Sequence, residues 1–344
     1  TLWIVERGGA ETSCDGGGMN EYRIGDCLEV LRTLPDGFAN TCVTSPPYWQ
    51  LRNYGVTGQI GLEETPEAYV ERMVEVFREV RRVLRDDGTL WLNLGDSYAG
   101  SWGNQGRKEG RGTQRPVNAG MKTTVSDGRY PSKKSKTGNI PRGSGLKPKD
   151  LVGIPWMVAF ALRADGWYLR SDIIWHKTNP MPESIKDRPT KAHEYLFLLS
   201  KSARYYYDAA AIRVPCAAKT LSHKGKGRAA GKIESQDPLG NVASGNWTRA
   251  NGPRIGNVLV NRKTIWACSS TSYVGEHMAT YPPDLIKPCI SAGCPEGGLV
   301  LDPFFGSGTT GMVAESLGRQ WFGIELNPEY EHLIRERTSQ RGLL

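Results

Sequence analysis

A mostly parallel α/β fold is predicted by three observations. Apolar strand-length segments alternate with helical segments along the first and last thirds of the chain. Two of those strands, Thr41–Thr44 and Leu299–Leu301, run directly into turn-forming loops rich in proline or glycine. The length of 344 residues, 38% of them hydrophobic, is enough to bury a sheet between helices in one large domain with insertions or in two smaller ones.

Each element follows from its residues. Tyr22–Ile24 is a short strand, followed by Gly25-Asp26-Cys27 and a helical turn carrying Leu28, Val30, Leu31 and Leu34. Thr41–Thr44 is a buried strand that must end at Ser45-Pro46-Pro47-Tyr48-Trp49, because proline cannot continue the ladder. The clearest helix spans about Pro66 to Arg85. Thr65 suits its N-cap and Pro66 its first position, while Tyr69, Met73, Val76, Phe77, Val80, Val83 and Leu84 share one face. Gly88 is its expected stop, and strand Thr89–Leu94 follows. A helix over Leu151–Asp165 precedes strands around Trp167–Trp175 and Glu194–Ser200. The last third repeats the alternation: strand Leu299–Leu301, a glycine loop, helix Thr309–Leu317, strand Trp321–Ile324 and helix Pro328–Arg337. There is no internal repeat.

The net charge of +8 is unevenly spread. Residues 99–150 carry net +9 and residues 213–263 net +8, so the rest of the chain is acidic. Both basic segments are rich in Gly, Ser and Asn without a hydrophobic period, which marks them as loop insertions. An acidic body with two basic insertions suits a polyanion, nucleic acid above all, although solvated surface loops would have the same composition. Trp102, Tyr130 and Trp247 lie within these stretches and could stack on bases. No run approaches the ~20 apolar residues of a membrane helix, and no signal peptide is recognisable. The seven cysteines form no CxxC pair, so neither structural zinc nor a disulfide framework is expected, and the protein is placed in the cytoplasm.

Two loops carry chemistry. Asp302-Pro303-Phe304-Phe305-Gly306-Ser307-Gly308-Thr309-Thr310 follows a strand and opens a helix, where glycines let backbone N–H groups approach a ligand. Glu325 ends the next strand, about twenty residues on, a position suited to holding a ribose diol. No GxxxxGK[ST] loop is present, so the ligand has a ribose but no critical triphosphate. In Thr44-Ser45-Pro46-Pro47-Tyr48-Trp49, two prolines stiffen the backbone and remove two donors. The Ser45 hydroxyl and the Pro46 carbonyl remain as acceptors beside the flat ring of Tyr48. Such a rim suits a planar substrate with an exocyclic amine, whose lone pair is freed when both hydrogens are gripped.

Together the loops resemble those of the amino-directed DNA methyltransferases, which transfer a methyl group from S-adenosylmethionine to N4 of cytosine or N6 of adenine. Ser45-Pro46-Pro47-Tyr48 is similar to their Asp/Asn/Ser-Pro-Pro-Tyr/Phe motif, and Asp302–Thr310 to their FxGxG cofactor loop. With the amine motif first and the cofactor loop near the C-terminus, the order matches the permuted β group. Arg23–Cys27, Trp175–Pro180, Arg188–Glu194 and the stretch from His277 to Lys287 resemble lesser family motifs, so the likeness covers about Met19–Arg337. It implies a Rossmann-like methyltransferase fold with a mostly parallel central sheet and basic loop insertions.

The resemblance also implies roles. Ser45 and the Pro46 carbonyl would hold the amine of a flipped base, with Pro47 shaping the loop and Tyr48 stacking on the base. Asp26 and Cys27 would lie near the cofactor adenine. Phe304, Gly306 and Gly308 would shape the methionine end of the cofactor pocket, and Asp302 is a further cofactor-binding residue. Thr309 would help hold its carboxylate and Glu325 its ribose hydroxyls. Residues 19–98 and 151–212 would form the catalytic part, 264–344 the cofactor part and 213–263 the target-recognition region. Apart from the resemblance, the charge of 99–150 alone suggests a second DNA clamp, and residues 1–18, without a periodic signal, read as an N-terminal extension. Double-stranded DNA is the implied partner, with a companion restriction endonuclease. Serine at the first motif position favours cytosine N4 over adenine N6. An RNA or protein-amide methyltransferase and a non-catalytic DNA-binding module are the more distant alternatives. His176, His193 and His277 are read as structural, and Glu194 as supporting local hydrogen bonds.

Overall fold

The computed structural model describes residues 20–99, 145–180, 182–215, 259–270 and 281–339. The chain divides into two units, Thr1–Tyr207 with Thr264–Leu344, and Asp208–Lys263. In the larger unit, β1 (Asn20–Ile24) leads to α1 (Cys27–Thr33), β2 (Ala39–Thr44), α2 (Pro66–Val83), β3 (Leu84–Leu94), α3 (Ile154–Ala164), β4 (Tyr168–Lys177) and β5 (His193–Ser200). The smaller unit contributes an antiparallel pair, β6 (Val214–Pro215) and β7 (Leu259–Val260). The larger unit then resumes with β8 (Ile265–Cys268), α4 (Pro283–Gly293), β9 (Leu299–Asp302), α5 (Thr309–Ser316) and β10 (Gln320–Glu325). A 3-10 turn, Pro328–Tyr330, and α6 (Glu331–Ser339) complete it.

Eight strands form one sheet in the order β1-β10-β9-β2-β3-β5-β4-β8. Every neighbouring pair is parallel except the two made by β5. The chain steps outward from β9 to β10 on one side and from β2 to β3 on the other. The crevice between β2 and β9 is therefore the topological switch point, where ligands of such sheets bind at the carboxyl ends of the strands. The sheet is covered by helices whose apolar faces the sequence anticipates: Tyr69, Met73, Val76, Phe77, Val80 and Val83 of α2 are fully buried. Burying that stripe, rather than intrinsic propensity, is what holds such a helix in place.

Several boundaries differ from expectation. Gly88 does not stop α2. The helix ends at Val83, and Leu84 turns extended while its N–H still bonds the Val80 carbonyl, so β3 begins with no intervening loop. Gly88 lies inside β3, where an added Cβ would sit 2.9 Å from the Arg85 carbonyl oxygen. Helix α3 starts at Ile154 rather than Leu151. Gly153 adopts a left-handed φ of 84° there, and Asp96 Oδ1 accepts the Gly153 and Ile154 N–H groups. The segment expected as one helix from Pro328 opens as the 3-10 turn. Helix α4 and strand β8 were not predicted from the sequence. Pro283 sits in the first turn of α4, where a missing N–H costs nothing, but Pro288 lies within the helix and masks its pattern. Trp102, Tyr130, Trp247, His277 and most of the two basic segments lie outside the described residues.

Candidate active site

The two chemistry-bearing loops leave adjacent strands. Thr41 and Cys42 of β2 pair with Val300 and Leu301 of β9, so both strands deliver their carboxyl ends to one edge of the sheet. The Thr44 hydroxyl donates to Asp302 Oδ1 across that junction at 2.6 Å. Asp302 also accepts the Phe304 N–H at 3.0 Å, the Tyr281 hydroxyl at 3.0 Å and the Thr310 hydroxyl. Burial pushes its carboxyl upward, and these donors oppose the shift. Asp302 therefore joins the two loops from beneath and does not line the cleft above them.

That cleft encloses about 890 Å³ of space, including its open mouth. Of the residues singled out from sequence, Asp26, Cys27, Ser45, Pro47, Phe304, Gly306, Thr309 and Glu325 line it. Pro46 is buried in the loop, and Gly308 starts α5 with a left-handed φ of 83°. Asp26 caps α1, accepting the Leu28 and Glu29 N–H groups at 2.9 and 3.1 Å. Burial raises the Cys27 thiol to about 12, which keeps it protonated. Glu325 takes the Gly306 N–H on one oxygen at 2.7 Å and the Asn327 N–H on the other at 2.8 Å. Burial still lifts its carboxyl from the ordinary 4.5 to about 7.

Tyr54, Gln59 and Ile60, in the loop between β2 and α2, also line the cleft, as do Asn327 and Tyr330. Sequence reasoning passed over them. The loop has no period, and only the Asn327-Pro328 capping signal marks the far side. Phe305 was likewise missed. Its ring stacks on Trp321 with centroids 4.9 Å apart and lies directly over Gly323 of β10, where a Cβ would come within 2.4 Å of Phe305 Cγ. Gly323→Ala is expected to expel this ring and cost about 1–3 kcal/mol by overpacking. A thermal midpoint matching wild type would contradict that reading.

The proline loop is pinned from below: Tyr69 of α2 donates to the Pro47 carbonyl at 2.9 Å, and the Trp49 indole to the Glu63 carbonyl at 2.9 Å. Beside it the sheet register gathers polar groups. Thr44 pairs with Leu92, which sets Ser45 across from Asn93, and the Ser45 hydroxyl reaches Asn93 Oδ1 at 3.3 Å. Because β5 runs backwards, its N-terminal Glu194 arrives at the same edge. Tyr48 donates its hydroxyl to Glu194 Oε2 at 2.8 Å. One side of the Tyr48 ring packs on Gly95. Burial and the Glu194 charge hold its phenol well above the usual range, so it remains a donor. Glu194, read from sequence as a local hydrogen-bonding residue, thus bonds directly to Tyr48 of the proline loop.

No His, Cys, Asp or Glu cluster able to hold a metal ion occurs among the described residues, and none of their helices is long and apolar enough to cross a membrane. Residues 39–336 match the family model described as DNA methylase. The chain is 44% identical to the type II methyltransferase M.XycI of Xanthomonas campestris pv. cyanopsidis, over 91% of this chain and 85% of that protein. Its structure is similar to that of PvuII DNA methyltransferase (cytosine-N4-specific), with a TM-score of 0.58 and 19% identity over 95% of this chain and 89% of the other. It is also similar to that of a Thermus thermophilus protein complexed with S-adenosyl-L-methionine, with a TM-score of 0.52 and 22% identity over 93% of this chain and 94% of the other. The proline motif at the end of β2, the glycine loop at the end of β9 and the sheet order between them agree with these likenesses: the chain belongs to the DNA methylase family, whose members methylate exocyclic amines.

Proposed function

We propose that this protein transfers a methyl group to the exocyclic N4 amine of a cytosine flipped out of duplex DNA. The observation that carries the reading is that Ser45 and Pro47 line the same cleft as Phe304, Gly306 and Glu325. An amine held at the first loop therefore meets whatever the second loop binds. Ser45 Oγ and the Pro46 carbonyl accept the two amine hydrogens, drawing the nitrogen towards a tetrahedral form with a free lone pair. When bound, S-adenosylmethionine supplies the electrophilic methyl. The residues present fit it: Glu325 offers carboxylate lone pairs to a ribose diol, Asp26 and Cys27 flank the adenine end, and Thr309 receives the carboxylate end. Serine in the motif favours cytosine over adenine. Target recognition is assigned to residues 213–263 and a second DNA clamp to 99–150, on charge. A companion restriction endonuclease is the expected genetic partner.

Glu325 makes the cofactor step sensitive to pH. A ribose diol needs its ionised form, whereas burial favours the protonated one up to about pH 7. Cofactor affinity is expected to fall by up to tenfold per pH unit below that point and to level off above it. In the cofactor-free protein the sign reverses. Between pH 4.5 and about 7 the folded state holds a proton that the unfolded chain has lost, so stability declines as pH rises through this window. Calorimetric titration from pH 5.5 to 8.5 checks the first effect, and Glu325→Gln should abolish the slope.

Incubation with S-adenosylmethionine and unmethylated mixed-sequence duplex DNA, followed by digestion and mass spectrometry of the nucleosides, tests the function. N4-methylcytosine that is absent with Ser45→Ala/Tyr48→Ala supports the proposal. N6-methyladenine would keep the chemistry and overturn the base.

A further inference from the structure

We propose that Arg337, on α6, is a positioning residue for the cofactor's methionine carboxylate: it holds the Ser307 and Thr309 hydroxyls so that both donate to that group, and it supplies the opposite charge behind them. The proposal rests on the placing of S-adenosylmethionine in the cleft given above.

A carboxylate brought to the glycine loop meets like charge. Asp302 already takes the Phe304 N–H at 3.0 Å, and Glu325 the Gly306 N–H at 2.7 Å. Repulsion between such groups is weakly screened where they are buried. The positive end of α5 offsets part of it, because Gly308 caps the helix without a side-chain hydrogen bond and no acid lies in the first turn.

Helix α6 brings a full charge to the same place. It packs against the loop, so that a Cβ on Gly308 would lie 3.5 Å from Ile334 Cα. Three residues further on, Arg337 Nη1 donates to Ser307 Oγ at 3.0 Å and also to Thr309 Oγ1. A guanidinium has donors and no acceptor. Both hydroxyl oxygens therefore accept from it, and each hydroxyl keeps its own hydrogen for another partner. Among the described residues, neither hydroxyl donates to a protein group. Ser307 and Thr309 are 1% and 4% exposed, and both line the cleft, which is where an acceptor for those hydrogens can enter. Two buried hydroxyls with hydrogens to give are a donor set for the two oxygens of a carboxylate. The Arg337 charge behind them polarises both O–H bonds and strengthens that grip.

The test is calorimetric titration of the full-length protein at about pH 8, where Glu325 is ionised, with two cofactors. S-adenosylmethionine carries the carboxylate; decarboxylated S-adenosylmethionine keeps the adenine, ribose, sulfonium and amine and lacks only that group. Wild type should prefer the first by at least about tenfold. Arg337→Met keeps the apolar stem and removes the charge and donors. It is expected to weaken S-adenosylmethionine about 10- to 30-fold and the decarboxylated cofactor by less than about threefold, so the preference collapses. A merely structural arginine predicts equal losses for both. Ser307→Ala/Thr309→Val leaves α6 intact and should erase the preference too, which decides the matter even where Arg337→Met does not fold. A wild type without preference, an Arg337→Met protein that weakens both cofactors alike or neither, or a Ser307→Ala/Thr309→Val protein that keeps the preference would each overturn the proposal. Glu325→Gln, titrated alongside, separates the two readings, since it should weaken both cofactors. If it weakens neither, the placing of the cofactor in this cleft fails; if it weakens both while the Arg337 series behaves otherwise, only the role of Arg337 is lost.

Discussion

Replacing Ser45 with alanine is expected to slow single-turnover methyl transfer by about 10²–10³-fold while leaving cofactor affinity close to wild type. The side chain forms only long hydrogen bonds, at 3.3 Å to Asn93 and 3.4 Å to Tyr48, so its loss costs the fold about 1 kcal/mol or less. Its chemical contribution is larger. The amine lone pair is delocalised into the base, and transfer needs it localised at the moment the methyl arrives. In the proposed reaction one of the two acceptors enforcing that geometry would be gone, leaving only the Pro46 carbonyl. Rates measured with pre-bound DNA and excess cofactor, with calorimetry for the cofactor, separate the two effects. A loss below about fivefold with unchanged product would reject the assignment.

Asp302→Ala should have the largest effect on stability, about 3–5 kcal/mol, together with a loss of cofactor binding. Four donors converge on this carboxylate, from Thr44, Phe304, Tyr281 and Thr310, in a site 1% exposed. Removing it leaves those buried donors without their acceptor and opens a space beneath the glycine loop. Asp302→Asn keeps the volume but turns an NH2 towards donors, so it should be only partly better. Thermal unfolding followed by circular dichroism and calorimetric titration with S-adenosylmethionine check both effects. A stable protein with intact cofactor affinity would show that the loops are held by something else.

The order of strands and helices was largely legible because the buried faces repeat at the helical or strand period. The stripe from Tyr69 to Val83 and the strand Leu299–Leu301 are examples. What escaped lacked that signal or was masked by proline and glycine. Pro282, Pro283 and Pro288 hid α4, and Gly88 was taken for a helix stop although the chain passes from Val83 into β3 without a turn. The reversal of β5 left no local trace, since direction is decided by what a strand pairs with. The glycine and proline loops were legible as motifs, but the division of labour within them was not. Asp302 adjoins the cofactor motif in sequence yet points inward to Thr44, Thr310 and Tyr281, whereas Phe305, beside the selected Phe304, is the ring that seats the loop. Glu194 acquires its significance only when the sheet brings it to Tyr48 from 146 positions away.

The pairing of β1 with β10, which sets Asn20 beside Trp321, and the placement of β9 against β2 have a consequence for how the protein comes into being. A chain leaving the ribosome exposes its proline loop early, but the neighbouring strand β9 and the glycine loop follow some 258 residues later, the separation of Thr44 from Asp302. At ~5–20 residues per second, that gap is on the order of 10–50 s during which β2 lacks β9. Pairings this distant in sequence also close slowly. An unfinished or C-terminally clipped chain therefore carries only the Ser45–Pro47 side of the cleft, without the side built by Phe304 and Glu325.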